Sequence, residues 1–147
     1  MTGWIFTVLG GALTLSAVYV RRRFVAVTIE GESMAPTFTG GERVLVRRRG
    51  VARLRRGDVV VVRWKPPPDV NGEEHEGHKL LVKRVTAVAG DPIPADVAPA
   101  ADRPARSPVP DGAFIVRGDN AAISLDSRTC GLFGADNLLG IMIRRLA

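Results

Sequence analysis

The stretch that decides the fold is DVVVVRW, residues 58–64, in which four consecutive valines stand between Asp58 and Arg63. β-Branched side chains favour strands, and an unbroken apolar run of this length is typical of a strand covered on both faces. Similar short runs lie outward from it on both sides, at residues 25–29, 43–47, 80–88, 113–117 and 139–143. Glycine- and proline-rich turn signals separate these runs, so the sequence predicts a compact, mainly β domain.

Composition limits what this domain can be. The chain has 147 residues and a net charge of +6, and only three of its 21 basic residues are lysines. A single cysteine, Cys130, excludes an internal disulfide framework. A basic balance points to nucleic acid or anionic lipid as partner. We favour the lipid bilayer, and expect no nucleic acid, because an apolar segment precedes the β domain.

That segment runs from Gly3 to Val20 and contains no charged residue. Eighteen apolar or small residues suffice for a transmembrane helix, and Trp4 and Tyr19 stand near its ends, where aromatic rings favour the membrane interface. A cleaved signal peptide is the alternative, but no basic region precedes the run and Arg21–Arg23 follow it. We therefore predict an uncleaved anchor with its basic flank at residues 1–23 and a β-rich domain at residues 24–147.

Two loops stand out within the β domain. Residues 66–78 are polar and hold both histidines, His75 and His78, among glutamates. A metal site is conceivable there, but the spacing is not typical of zinc ligands, so we predict a solvated acidic turn and no metal. Residues 92–110 contain six prolines, and we expect an extended, mobile excursion that is dispensable for chemistry.

The first candidate for chemistry is Ser33, in the segment Gly31-Glu32-Ser33-Met34-Ala35-Pro36-Thr37. Pro36 fixes its own φ and Met34 is apolar, so the backbone at Ser33 is stiffened beside an apolar surface. A serine hydroxyl is a weak nucleophile without a base. Lys83 is a candidate base, because burial in its apolar strand would lower the lysine pKa. Strand alternation puts Lys83 on one face with Leu81 and Val85. A charge at the edge of a strand is the alternative interpretation of Lys83.

A third polar cluster follows the strand at residues 113–117. It begins with Gly118-Asp119-Asn120, an ordinary turn sequence, and continues through Ser124 to Arg128. Asp126 and Arg128 can form an ion pair, and Ser124 can orient an amine by hydrogen bonding. A well-bonded loop without catalytic function is the alternative.

Taken together, these segments resemble the type I signal peptidases, membrane-bound serine peptidases with a Ser–Lys dyad. The resemblance covers most of the chain. Four segments match in the family's order: residues 31–37, 56–62, 83–91 and 118–128. Four ordered matches across about a hundred residues form a strong signal, whereas each alone would be weak.

The resemblance implies a coiled β-sheet catalytic domain on one transmembrane helix, with no cofactor. Ser33 would attack the scissile carbonyl and Lys83 would take its proton, while Ser124 would position the Lys83 amine and Asp126 and Arg128 would brace the site. The Ser33 N–H would form part of the oxyanion hole. Some members carry a hydroxyl where this chain has Gly31, so the second donor stays open. Met34 would lie near the membrane surface or line the pocket.

The implied substrates are preproteins with small side chains at the first and third positions before the cut. The expected place is the cell membrane, single-pass, with the catalytic domain on the extracytoplasmic side. Arg21–Arg23 favour the opposite orientation by the positive-inside rule, but they can also bind anionic headgroups. Two alternatives are a self-cleaving repressor-type Ser–Lys peptidase and a catalytically silent membrane-anchored scaffold.

Overall fold

A computed structural model describes residues 18–66 and 77–146 of the chain. Its strands are β1 (Phe24–Thr28), β2 (Arg43–Arg47), β3 (Val59–Trp64), β4 (Lys79–Val88), β5 (Ala113–Arg117), β6 (Phe133–Gly134) and β7 (Leu138–Leu146). They form one antiparallel sheet in the order β1-β2-β7-β3-β4-β5-β6. The α-helices Ala98–Ala101 and Ser127–Cys130 and the 3-10 turns Val51–Arg53 and Ala135–Asn137 lie between strands. The mainly β prediction is confirmed, and all six predicted strands are present.

The valine run is covered on both faces, as its sequence predicts. Val61 packs in one apolar cluster with Val44 and Val82, and Val60 and Val62 pack in another around Phe114. Val60, Val61 and Val62 are all 0% exposed. Register shifts interrupt the pairing of β2 with β7, β3 with β7 and β4 with β5. Such bulges bend and twist a sheet, which lets one sheet hold two clusters on opposite faces.

The proline-rich segment 92–110 differs from the predicted extended, mobile excursion. It carries the helix Ala98–Ala101, and a β-bridge joins Pro92 to Pro108. Its apolar side chains form a third core cluster with Ala87 and Ile115 of the sheet, and Ile93 and Val97 are 0% exposed. Prolines prevent the segment from joining the sheet, but they do not prevent its valines and isoleucine from being buried against it.

The predicted anchor lies almost entirely outside the described residues. Residues 18–23 are helical and exposed, and they lead directly into β1. Within residues 18–66 and 77–146, no helix is long and apolar enough to cross a membrane. The predicted polar loop at residues 66–78 also falls largely outside the described residues, although β3 and β4 on either side pair from Trp64 and Lys79 onward as a hairpin requires.

Candidate active site

Ser33 lies in the turn at residues 31–38, between β1 and β2. Apolar packing fixes this turn on the sheet, because Met34 and Phe38 are buried in the cluster of Val44 and Val82. Within the turn, the Phe38 N–H donates to the Met34 carbonyl at 2.9 Å. Ser33 is left half-buried above them. The prediction that Met34 lies at the membrane surface or lines a pocket is wrong, since Met34 is 0% exposed and belongs to the core.

Gly31 stands two residues before Ser33, with a φ of +73°. This left-handed conformation favours glycine, because a β-carbon would strain the backbone there even though the space around it is open. The absence of a hydroxyl at this position therefore has a conformational reason in this chain.

Lys83 lies in the middle of β4, opposite Val60 of β3. It is 2% exposed, and it shares a face with Leu81 and Val85, which pack in the cluster of Val60. Its Nζ lies 2.5 Å from Ser33 Oγ. Burial lowers the pKa of Lys83 below its ordinary value, an effect that the negative charge of Asp126 partly opposes. A buried lysine with a lowered pKa, next to a serine hydroxyl, can accept that hydroxyl's proton.

The loop after β5 closes over the Ser33 turn. The Asn120 N–H donates to the Ser33 carbonyl at 3.0 Å. Gly118 is buried beside the same carbonyl, and a β-carbon on it would collide with Ser33 O and with Ser124 Oγ. A residue larger than glycine at 118 would therefore push these two segments apart.

Ser124, which is predicted to orient the Lys83 amine, lies beside Gly118 where the loop after β5 meets the Ser33 turn. Its Oγ is buried and makes no hydrogen bond of normal geometry to any described residue, so the predicted bond to Lys83 is not formed in this structure. The hydroxyl still lies near enough to the Asp126 carboxylate to help lower the pKa of that group. The role of Ser124 in orienting the amine stays a prediction.

Asp126 and Arg128 form the predicted ion pair, with Arg128 Nη2 2.9 Å from Asp126 Oδ2. Asp126 is 0% exposed and also accepts from the N–H groups of Gly118 and Arg128, at 3.0 and 3.1 Å. Burial by itself would raise the pKa of Asp126, but these hydrogen bonds hold it at about 2. The carboxylate is thus a permanent negative charge that braces the loop and acts on Lys83.

A second acidic centre, Asp119, was not assigned a function from the sequence, where Gly-Asp-Asn is an ordinary turn. Asp119 accepts two hydrogen bonds from Arg84, at 2.8 and 2.6 Å, and a third from Thr37 Oγ1 at 2.6 Å. The Arg84 hydrogen bond is the main cause of the lowered pKa of Asp119. The alternation of β4 predicts that Arg84 points to the face opposite Lys83, but no local pattern in the sequence predicts that Arg84 contacts Asp119.

A further pair joins two of the matched segments. Arg56 Nε donates to Asp91 Oδ2 at 2.7 Å, and Asp91 also accepts from the Val88 N–H at 2.8 Å. Arg56 lies just before β3 and Asp91 just after β4, so the pair joins the two strands at the end of the hairpin away from its connecting loop. Their role is to fix the hairpin that carries the lysine.

The described residues contain no group of three or more histidine, cysteine, aspartate or glutamate side chains able to hold a metal. His78 is exposed, and His75 lies outside the described residues. Neither of the two histidines is thus placed at the site by this structure.

Comparisons with known proteins agree with this arrangement. The sequence profile of the family described as signal peptidase, peptidase S26, matches residues 1–99 and 94–146. Signal peptidase IB of Staphylococcus aureus (strain Mu50 / ATCC 700699) is 28% identical over 166 residues, covering 93% of this chain and 84% of that protein. Mitochondrial inner membrane protease subunit 2 of Schizosaccharomyces pombe is 34% identical over 124 residues, covering 78% of this chain and 60% of that protein.

The family match spans nearly the whole sequence and includes each of the segments that meet at Ser33. The resemblance inferred from the four motifs is therefore confirmed. This chain belongs to the S26 family of signal peptidases, and it is a serine endopeptidase of the signal peptidase I type.

Proposed function

We propose that the protein is a membrane-anchored endopeptidase that removes signal or leader peptides from exported proteins, with Ser33 as nucleophile and Lys83 as general base. One observation carries this proposal: the Nζ of a lysine that is 2% exposed lies 2.5 Å from Ser33 Oγ. A scaffold without catalytic function has no need to bury a lysine against a serine hydroxyl, because burying the amine costs free energy.

The chemistry follows from the neutral amine. As Ser33 Oγ attacks the scissile carbonyl carbon, the Lys83 amine accepts the hydroxyl proton, and the resulting ammonium gives it to the leaving amine as the peptide bond breaks. Water then attacks the acyl-enzyme ester while Lys83 accepts one of its protons, the bond from the acyl carbon to Ser33 Oγ breaks, and Lys83 returns the proton to Ser33 Oγ. The backbone N–H of Ser33 is one candidate donor to the oxyanion, and each such donor contributes about 3 kcal/mol to transition-state stabilisation.

The Ser124 hydroxyl is proposed to hold the lysine amine once substrate is bound. Asp126 and Arg128 would keep Ser124 in place through the loop that they brace. This assignment is supported by the burial of Ser124 Oγ beside Gly118 and by its closeness to Asp126.

The proposed substrates are preproteins with small residues at the first and third positions before the cut. They would be reached at the extracytoplasmic membrane surface, by a domain anchored through residues 3–20. Support comes from the family and from the uncharged sequence of that segment. Protease treatment of intact cells tests the topology: digestion of the domain supports it, and full protection contradicts it.

The catalytic assignment is tested with Ser33→Ala and Lys83→Arg on a leader peptide that has alanine at both positions before the cut. Each change should lower kcat/KM by about a thousandfold. Ser33→Ala removes the attacking hydroxyl, and the arginine in Lys83→Arg cannot lose its proton in a protein. Lys79→Arg, on the exposed start of the same strand, is the matched control and should keep full activity. An active Lys83→Arg enzyme would overturn the role of Lys83.

The pH dependence gives a second test. Because burial lowers the pKa of Lys83, kcat/KM should rise with pH through an apparent pKa below that of an ordinary lysine. A rate profile that is flat across the range in which Lys83 loses its proton would contradict the general-base role.

A further inference from the structure

A groove of about 590 Å3 lies on the surface beside the end of β2 and the middle of β7. Four arginines line it, Arg47, Arg49, Arg53 and Arg55, against one carboxylate, Asp58. The Asp58 carboxylate accepts a hydrogen bond from the Arg55 backbone N–H at 2.9 Å, within the turn before β3. No salt bridge within the described ranges joins the four arginines to a carboxylate. The groove therefore carries more positive charge than its one lining carboxylate balances.

Arg47 is the most enclosed of the four arginines, since the other three are exposed. Its Nε is buried and has no hydrogen-bond partner among the described residues, while its guanidinium carbon lies 5.8 Å from the centre of the Phe24 ring. A buried N–H without an acceptor costs about 1–3 kcal/mol, so such groups are normally paired. Because Nε is closed to solvent, an anion in the groove would bind the terminal Nη groups of Arg47.

The surroundings of the groove are apolar as well as basic. Ile143 on its lining is 48% exposed. The Arg48 N–H donates to the Arg23 carbonyl at 2.8 Å, which joins this end of the sheet to the helical residues 18–23. In that helical segment Val18, Tyr19 and Val20 are 48–58% exposed, and Arg21–Arg23 are exposed beside them. Arginines next to exposed apolar side chains fit a membrane interface better than the polar groove of a nucleic-acid-binding protein.

We propose that this groove binds the phosphate of an anionic phospholipid headgroup. Guanidinium groups bind phosphate oxygens in a planar, bidentate manner, and the Nη groups of Arg47 would be among the donors. The lipid chains would follow Ile143 and the exposed residues 18–20 towards the membrane. The proposal goes beyond the peptidase activity, and it uses neither Ser33 nor Lys83.

The experiment is native mass spectrometry of the full-length chain in neutral maltoside micelles, which counts bound phosphatidylglycerol and gives its Kd. Arg47→Gln with Arg53→Gln should weaken binding by about tenfold, because charge-assisted hydrogen bonds to phosphate are lost. A second variant, Arg53→Gln with Arg55→Gln, should also weaken lipid binding. Both of its arginines are exposed, so this variant does not disturb a buried side chain. The matched control is Arg103→Gln with Arg106→Gln, an exposed basic pair in the proline-rich segment, which should bind as wild type.

Four results would overturn the proposal. The first is unchanged binding in both groove variants, and the second is an equal loss in the control pair, which would mean attraction to net charge only. The third is displacement of the lipid by free glycerol phosphate at equal concentration, which would remove the lipid as ligand. The fourth is displacement by a short RNA oligonucleotide. The Ser33→Ala variant should bind lipid as wild type, so a failure here is distinguishable from a failure of the catalytic assignment.

Discussion

The turn at residues 31–38 and strand β4 bring Ser33 and Lys83 together by different means. Ser33 in the turn is half-buried. Two hydrogen bonds tie the turn to the loop after β5: Asn120 N–H donates to the Ser33 carbonyl, and Thr37 Oγ1 donates to Asp119. Lys83 is held by apolar packing in the middle of a strand, with no ion pair to fix its amine among the described residues. The nucleophile is thus positioned by hydrogen bonds in addition to the packing of Met34 and Phe38, whereas the base is positioned by burial. The turn and the strand should therefore respond differently to mutation.

The largest expected effect is a loss of activity in both a Ser33 and a Lys83 variant, with a change in the free energy of unfolding that distinguishes them. Both Ser33→Ala and Lys83→Met should lower kcat/KM by about a thousandfold. Only Lys83→Met should make the protein more stable at neutral pH, because it replaces a buried amine by an apolar side chain of similar length. The measurements are peptide cleavage and urea unfolding. A Lys83→Met protein less stable than wild type would show that the amine is held by favourable contacts and not by packing alone.

The same reasoning gives the sign of the pH dependence. Folding lowers the pKa of Lys83, so the unfolded chain binds its proton more tightly and the contribution of this residue to stability rises with pH above the lowered pKa. Lys83→Met should remove this rise, while Lys79→Met, at the exposed start of β4, should keep it.

The next effect concerns the proline-rich segment at residues 92–110. The helix Ala98–Ala101 lies against the chain at Gly131, where a β-carbon would collide with Ala100 O, and Ile93 anchors that segment in the core. Ile93→Ala should lower the free energy of unfolding by about 2–5 kcal/mol, since Ile93 is 0% exposed. Ala105→Gly, exposed in the same segment, is the control. A loss below about 0.5 kcal/mol in urea unfolding would restore the interpretation of this segment as a dispensable excursion.

Asp126 gives a smaller effect in acid. Its pKa is lowered to about 2, so its contribution to stability is present above the ordinary pKa of an aspartate and is lost as the pH falls towards 2. This contribution is on the order of 2 kcal/mol. Asp126→Asn should flatten the dependence of unfolding free energy on pH between about 4 and 2. An unchanged slope would mean that other carboxylates control acid unfolding.

The smallest effect tests the turn. Thr37→Val removes the hydroxyl that donates to Asp119 while keeping the shape of the side chain. We expect a loss of about 1 kcal/mol in stability and a fall of several-fold in kcat, with little change in KM, because the turn that carries Ser33 becomes less fixed. Thr39→Val, exposed at the end of the same loop, is the control. Equal effects of the two changes would mean that the Thr37–Asp119 contact does not position the nucleophile.

Local patterns were enough to predict six of the seven strands, and to single out Ser33 and Lys83 as candidates. The valine run and the alternation around Lys83 report burial directly, because side chains in a strand point to opposite faces with a period of two. The match of ordered motifs added the assignment of Ser33, Ser124, Asp126 and Arg128, which no single segment supports alone. The proline-rich segment was misjudged because proline excludes a residue from the sheet ladder but says nothing about whether its neighbours are buried.

By itself, then, the sequence determined the class of fold, the positions of six of the seven strands and the two candidates Ser33 and Lys83, since each depends on side-chain types at close spacing along the chain. The tertiary structure alone decided which segments meet. Asp119 reaches Arg84 and Thr37 across 35 and 82 residues, and Lys83 reaches Ser33 across 50. Such contacts depend on strand order and bulges, which follow from the packing of the whole sheet rather than from any local pattern.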